Sequence, residues 1–351
     1  MTGLYIDPNT GKQISTNSML KSFRRCPKQA QFKYAMRLKP RMLGQPLKRG
    51  TWIHKLLEVY HNGDDWESEH LKLCRKFDEL LDEEKEYYGD MPREILTIMR
   101  SYIWHYANDT WIIHATEVTI ETEFPDGTIF RGKVDAIAEN RFGLWLVDHK
   151  SHKVLPDFDN RLLDTQSALY TWAALRSKIP VQGFIWNYLR WKPASVPVLI
   201  KDGSRLSKVN SDTDYPTYVK AIKDYKKQSP NFRITKEYLD KAARLKSYQY
   251  VPNEAQLSSF FRRDVLERPT EVLKRVALEN YRTSKRMHEY DFSTPGVERT
   301  VDRSCKFSCG YMDVCTTDLM GGNVQRMIKQ NYTIGNPLDY YFEEKDHNSK
   351  D

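Results

Sequence analysis

Apolar residues at helical spacing give way along the chain to runs at strand spacing, and their order sets the expected architecture. The stretch "STNSMLKSFRRC" (15–26) reads as a capped helix start, with Ser15 or Asn17 placed to accept from the first unpaired amides. A second helix is expected from near Gly50. In "RGTWIHKLLEVYH" the apolar Trp52, Ile53, Leu56, Leu57 and Tyr60 recur at helical intervals, and the same spacing puts His54 and Glu58 on one face. Helical patterning continues to about Trp111 with a break at "GDMP". Three strand-like runs follow, "EVTIETEF", "IFRGKVDAIA" and "GLWLVDHK", separated by the turn signals "PDG" and "ENRFG", which predicts an antiparallel meander. A helix over Leu162 to Lys178 and the strand "VQGFIWNYLRW" complete the order helix, three strands, helix, strand, an α/β arrangement.

The rest of the chain divides around this core. Residues 1–112 form an N-terminal helical basic region, 113–192 the core, and 193–252 an insertion of loops and short helices. A helical, cysteine-bearing region follows over 253–335, then a polar tail, 336–351, expected to be disordered. No apolar stretch is long enough to span a bilayer, and "MTGLYIDPNT" lacks the order of a signal peptide, so a cytoplasmic location is expected.

Charge sharpens the picture once it is located. The net charge is +8, yet from Pro8 to Leu57 there are twelve Lys or Arg and no Asp or Glu, leaving −4 for everything else. Within that segment Arg24, Arg25 and Lys28 alternate with Phe23, Phe32 and Tyr34, a composition suited to neutralising phosphates and stacking on bases. Nucleic acid is the expected partner, since ordinary surfaces mix signs.

The chemistry concentrates at the strand ends. In "LVDHKS", alternate residues share a face, so Asp148 and Lys150 point together and His149 points away. Asp135, in "GKVDAI", can lie beside them. Two aspartates on adjacent strands make part of a shell for a hard divalent cation, to which the His149 carbonyl adds an oxygen. Lys150 beside it can position a water or offset charge growing on a phosphate. Taken alone, such a triplet describes a surface ion pair equally well. "DTQSALYTWAAL" adds Gln166 and Tyr170 one helical turn apart, and Glu117 and Glu121 are candidate outer carboxylates.

The ordered set "RGTWIHKLLE", "GKVDAI", "LVDHKS" and "QSALY" resembles the RecB-like branch of the PD-(D/E)xK nuclease superfamily, whose pattern is G-x-x-x-H, G-x-x-D, D-x-K and Q-x-x-x-Y. The resemblance covers roughly residues 15 to 190 and the terminal cysteines. It implies a restriction-endonuclease-like core, a mixed sheet flanked by helices. It also implies metal binding (magnesium or manganese) by His54, Asp135 and Asp148, with a backbone role for His149, catalysis by Asp135, Asp148 and Lys150, and DNA positioning by Gln166 and Tyr170. His149 departs from the family, which more often has an aromatic residue there.

Five cysteines, an odd number, argue against a disulfide framework. Cys305, Cys309 and Cys315, in "SCKFSCGYMDVC", with the distant Cys26 make a four-sulfur set suited to zinc or an iron-sulfur cluster that would clasp the two terminal regions. In the same RecB-like group, which includes the AddB and CRISPR-associated nucleases, this arrangement holds a [4Fe-4S] cluster. This chain has three residues between Cys305 and Cys309 where the family usually has two, so zinc stays open. No G-x-x-x-x-G-K-[ST] phosphate loop is present. The resulting expectation is a metal-dependent DNA exonuclease of phage-type recombination or end processing, acting on single-stranded or duplex ends beside a recombination partner protein. The alternatives are a non-cleaving DNA-binding partner of a recombination or CRISPR adaptation complex, and a structure-specific endonuclease.

Overall fold

A computed structural model describes residues 5–7, 10–157, 159–207, 211–252 and 254–341. The N-terminal part runs β1 (Ile14–Ser15), α1 (Asn17–Arg25), α2 (Pro27–Ala30), a π-helical turn, β2 (Leu38–Pro40), α3 (Gln45–His61), α4 (Trp66–Asp78), α5 (Asp82–Tyr88) and α6 (Met91–His105). The centre is β3 (Ile112–Glu123), β4 (Ile129–Asn140), β5 (Gly143–His152), α7 (Asp159–Leu162), α8 (Thr165–Arg176) and β6 (Val181–Arg190). Then come α9 (Tyr215–Gln228), α10 (Lys236–Lys246), β7 (Phe261–Leu266), α11 (Thr270–Glu289), α12 (Ser304–Ser308), α13 (Met312–Leu319), α14 (Val324–Asn331) and β8 (Tyr332–Ile334).

The predicted meander is present: β3 to β4 and β4 to β5 pair antiparallel, while β5 and β6 run parallel. The result is a mixed central sheet flanked by helices. One face of β5 and β6, through Leu146, Phe184, Trp186 and Tyr188, packs with α1, α8 and α11 in the main core. Trp186 and Tyr188 are wholly buried, each worth about 1.5–3 kcal/mol of transfer free energy. A second cluster joins α3, α4 and α6 to Leu189 and Phe261, and α9 and α10 close on a small core of their own around Tyr218, Phe232 and Tyr238.

Several boundaries differ from the sequence reading. The cap of α1 is Thr16, whose side chain accepts from the Met19 amide at 3.2 Å, because Ser15 is already committed to β1. The region from residue 254 on is not wholly helical. Phe261–Leu266 forms strand β7 against β6, its charged residues buried by pairing: Arg263 with Asp109 at 2.7 Å, and Asp264 with Arg262 at 2.8 Å. The expected tail begins with packed residues, since Leu338 is 1% exposed in the main core; residues 342–351 lie outside those described. Among the described residues no helix is long and apolar enough to cross a membrane.

Strand β4 gives the sheet its decisive irregularity. β3 covers one edge of β4 from end to end, so β1 and β5 must share the other. β5 pairs with Ala136–Asn140 and β1 with Ile129 and Phe130, and residues 131–135 between them face an open fork.

Short β1 is held to α11 by a buried polar contact: Ser15 Oγ lies 2.7 Å from Ser284 Oγ and 2.9 Å from His288 Nε2. Burial lowers the His288 pKa to about 4. The unfolded chain, with an ordinary histidine near 6.5, therefore binds the proton first, and stability is full above that value and lost as pH falls toward the folded value. Denaturant unfolding of the wild type and His288→Asn between about pH 7.5 and about pH 5 checks this: the wild type is expected to lose about 2 kcal/mol more over the window than the variant.

Candidate active site

The last paired rung of β4 and β5 is Ala136 with Val147, and Asp135 and Asp148 are the next residue on each strand into the fork. Two-residue periodicity then fixes what each side chain meets. Asp148 and Lys150 share a face and form an ion pair, while the His149 ring turns to the other side. Asp135 is held from two directions: His54 Nδ1 of α3 lies 3.0 Å from Oδ1, and the His149 main-chain N–H donates to Oδ2 at 2.5 Å. Asp148 Oδ1 accepts from Gln166 Nε2 of α8 at 2.9 Å. Gln166 is set there because Asp164 caps α8, accepting from the Gln166 amide at 2.7 Å, and its Oε1 accepts from Lys21 at 3.4 Å.

Burial works against charge on every one of these groups, so their neighbours decide the outcome. Asp135 is desolvated, yet His54, His149 and Lys150 hold its carboxyl well below the ordinary range. Burial pushes Asp148 up, Lys150 opposes the rise and the Asp135 charge adds to it. Burial lowers and the two aspartates raise Lys150, with a net rise, and His54 follows the same pattern through Asp135.

Tyr170 packs against β4 in the fork. It is 5% exposed, set between Phe130 and Phe184, and a Cβ on Gly132 would come 2.9 Å from its ring. The glycine, fourth residue of β4, thus lets the ring lie against the strand within the fork. Glu117 and Glu121 pair with Lys133 and Arg131 across the β3–β4 ladder, so neither reaches the aspartates.

The sequence reading missed the support behind His149. Asn187 of β6 donates from Nδ2 to His149 Nδ1 at 2.8 Å and to Tyr102 Oη at 2.9 Å, and its Oδ1 accepts from Arg263 at 3.4 Å. Arg263 is enclosed by the Tyr106 and Trp111 rings at 3.9 and 3.8 Å, and His61 stacks on His149 at 5.4 Å. One signal was present: Asn187 is the lone amide in the apolar run "GFIWNYL".

The basic residues singled out near the N-terminus are engaged within the protein. Lys28 is 4% exposed and pairs with Asp318 at 2.9 Å. Arg24 donates to Asn280, and Arg25 to Ser304 and Ser308 at 2.7 and 3.1 Å. These contacts bind α1 to α11 and α12, and α2 to α13. The cysteines gather at the same seam. The Thr300 amide donates to Cys26 Sγ at 3.4 Å and its carbonyl accepts from Cys305 Sγ at 3.8 Å. Burial raises the Cys309 thiol, with Cys305 and Cys26 adding to the rise, and Cys309 and Cys315 pack on the cluster of Phe32, Tyr311 and Val314. Among the described residues, no three His, Cys, Asp or Glu side chains converge as a ready metal shell, either at this seam or at the fork.

Residues 15–316 match the family model of the PD-(D/E)XK nuclease superfamily. The chain belongs to that superfamily. Membership implies a nuclease that works with a divalent metal, usually magnesium or manganese, and hence one that acts on nucleic acid. Among solved structures, one titled "Crystal structure of SSO0001" is similar at 16% identity and a TM-score of 0.23, over 62% of this chain and 76% of that one. No curated protein matches the sequence.

In this PD-(D/E)XK nuclease the Gly132 contact gives a direct test of fork geometry. Gly132→Ala forces the Tyr170 ring away from β4 and is expected to cost about 1–3 kcal/mol in denaturant unfolding, the usual penalty of overpacking. An unchanged midpoint would show that the ring does not rest on the strand.

Proposed function

We propose that the protein is a metal-dependent DNA exonuclease of the iron-sulfur, RecB-like branch, serving phage-type recombination or DNA end processing. The observation that carries this reading is the meeting of Asp135, Asp148 and Lys150 at the fork, with His54 and Gln166 each holding one carboxylate. The two carboxylates are hard oxygen donors, the kind that magnesium or manganese prefers, and magnesium commonly uses one or two carboxylates with the rest of its shell from water and phosphate. Asp135, Asp148 and the His149 carbonyl would hold the ion, with His54 at its side. Bound there, a divalent cation polarises a phosphate oxygen and acidifies water.

The chain's own residues do the rest. His54 and the His149 amide fix Asp135 in one orientation, and Gln166 does the same for Asp148 Oδ1. Lys150, kept protonated by the two aspartates, supplies a donor to a phosphate whose negative charge grows as the bond breaks. End-labelled DNA with magnesium or manganese tests the assignment: Asp148→Ala and Lys150→Ala are each expected to slow cleavage by about a thousandfold, or about 4 kcal/mol. Undiminished cleavage by either pure variant sinks it. Action at ends adds a second expectation, that linear DNA is consumed while a covalently closed circle survives.

The cluster belongs to the same proposal. What supports it is the approach of Cys26 and Cys305 to one residue, Thr300, with Cys309 close enough to feel both thiols. Its part would be a staple between α2 and the C-terminal helices. Anaerobic purification with metal and sulfide analysis is expected to give about four irons and four sulfides per chain, the content of the proposed [4Fe-4S] cluster. Stoichiometric zinc without sulfide would replace the cluster by a zinc site.

A further inference from the structure

Basic charge concentrates a second time, in the helical pair of the insertion: residues 215–246 carry nine Lys or Arg against three acids. Where α9 meets the end of α6, Trp104 and Tyr215 stack with ring centroids 4.9 Å apart and line a surface groove of about 330 Å³. Val219, Lys220, Lys223, Asp224 and Lys227 continue the lining along α9, so the groove holds one acid, taken up by Lys220, among three lysines. Positions 220, 223 and 227 fall on one helix face and span about 10 Å. Lys220 is paired with Asp224 at 2.5 Å, whereas Lys223 and Lys227 are exposed and make no ion pair among the described residues. This contrasts with the N-terminal basic segment, where Lys28 is taken up inside the fold.

We propose that this groove is a docking track for single-stranded DNA, with Lys223 and Lys227 on successive phosphates and a base laid against the Trp104–Tyr215 stack. The combination of cations along a groove with half-buried aromatic rings is the chemistry of strand binding without sequence preference. It favours a single strand over a duplex, because bases in a duplex are stacked on each other and do not offer a face to a protein ring. α6 also ties the groove to the fork: Tyr102, one half-turn before Trp104, accepts from Asn187, which holds His149. A strand held on the groove is thereby held on the helix that backs the active site. The inference rests on the reading above in that the strand is the nuclease's own substrate.

Binding of a fluorescent oligothymidylate, measured in EDTA over a range of salt, tests it apart from cleavage. Lys223→Ala with Lys227→Ala is expected to flatten the dependence of log K on log salt by about 1.4, two phosphate contacts at about 0.7 each for a single strand. The double Arg variant is expected to restore the slope. Tyr215→Leu is expected to weaken single-strand binding about tenfold and to leave a blunt duplex of equal length unaffected. An unchanged salt slope in the double Ala variant overturns the proposal, as does an equal loss on duplex and single strand. Failure of the nuclease reading would look different: no hydrolysis with metal, while the binding differences persist.

Discussion

The structure of the site depends on one backbone constraint, that a strand has two edges and β4 must serve three partners. With β3 along the whole of one edge, β1 and β5 divide the other and leave the stretch ahead of Asp135 open. A main-chain amide released from the ladder at this point must find another acceptor or lose the free energy of a hydrogen bond. The His149 N–H finds Asp135 Oδ2. The carboxylate thus takes the place of the missing rung, and the same contact that repairs the sheet fixes the acid at the mouth of the fork.

Beyond that point the parallel β5–β6 ladder continues, and a buried polar chain from Asp109 through Arg263 and Asn187 to His149 reinforces it. The Arg263 side chain is 3% exposed, a placement that would cost several kcal/mol if its charge were unpaired. Asp109 neutralises it, and the faces of Tyr106 and Trp111 add cation–π attraction where water is excluded. Because each member is desolvated, loss of one strands its neighbours, so the chain acts as a unit and keeps the His149 backbone in register.

What the sequence made legible was the part governed by local periodicity. Alternation in "LVDHKS" placed Asp148 with Lys150 and His149 opposite, and the i, i+4 spacing of Gln166 and Tyr170 set both on the buried side of α8. Contacts that depend on distant pairing were not legible. Strand β7 went unread because Arg263 and Asp264 look like solvent residues until Asp109 and Arg262 are beside them. Part of the run of twelve cations is taken up in the same way: it lacks acids only along the chain, and Asp318 closes on Lys28 from nearly three hundred residues away. Composition reports charge, but three-dimensional pairing decides which charges face a partner. By that criterion Lys223 and Lys227 of α9, exposed and in no ion pair among the described residues, are better placed for the proposed contact with phosphate.

The electrostatics of the fork bear on the proposed cation. Asp135 is driven strongly toward its ionised form while Asp148, beside it, is driven the other way. Two carboxylates in one desolvated site repel, and the second ionises only as far as positive charge is supplied. Lys150 supplies one charge, on the side of Asp148 away from the Gln166 amide, and His54 supplies its share to Asp135. Neither reaches both acids as a hydrogen-bonding partner. A divalent ion between them would do so, stabilising both carboxylates in the charged state and freeing Lys150 to turn its ammonium toward a phosphate. The crowding that makes the pair costly for the isolated fold is what a cation held there, as proposed, would relieve.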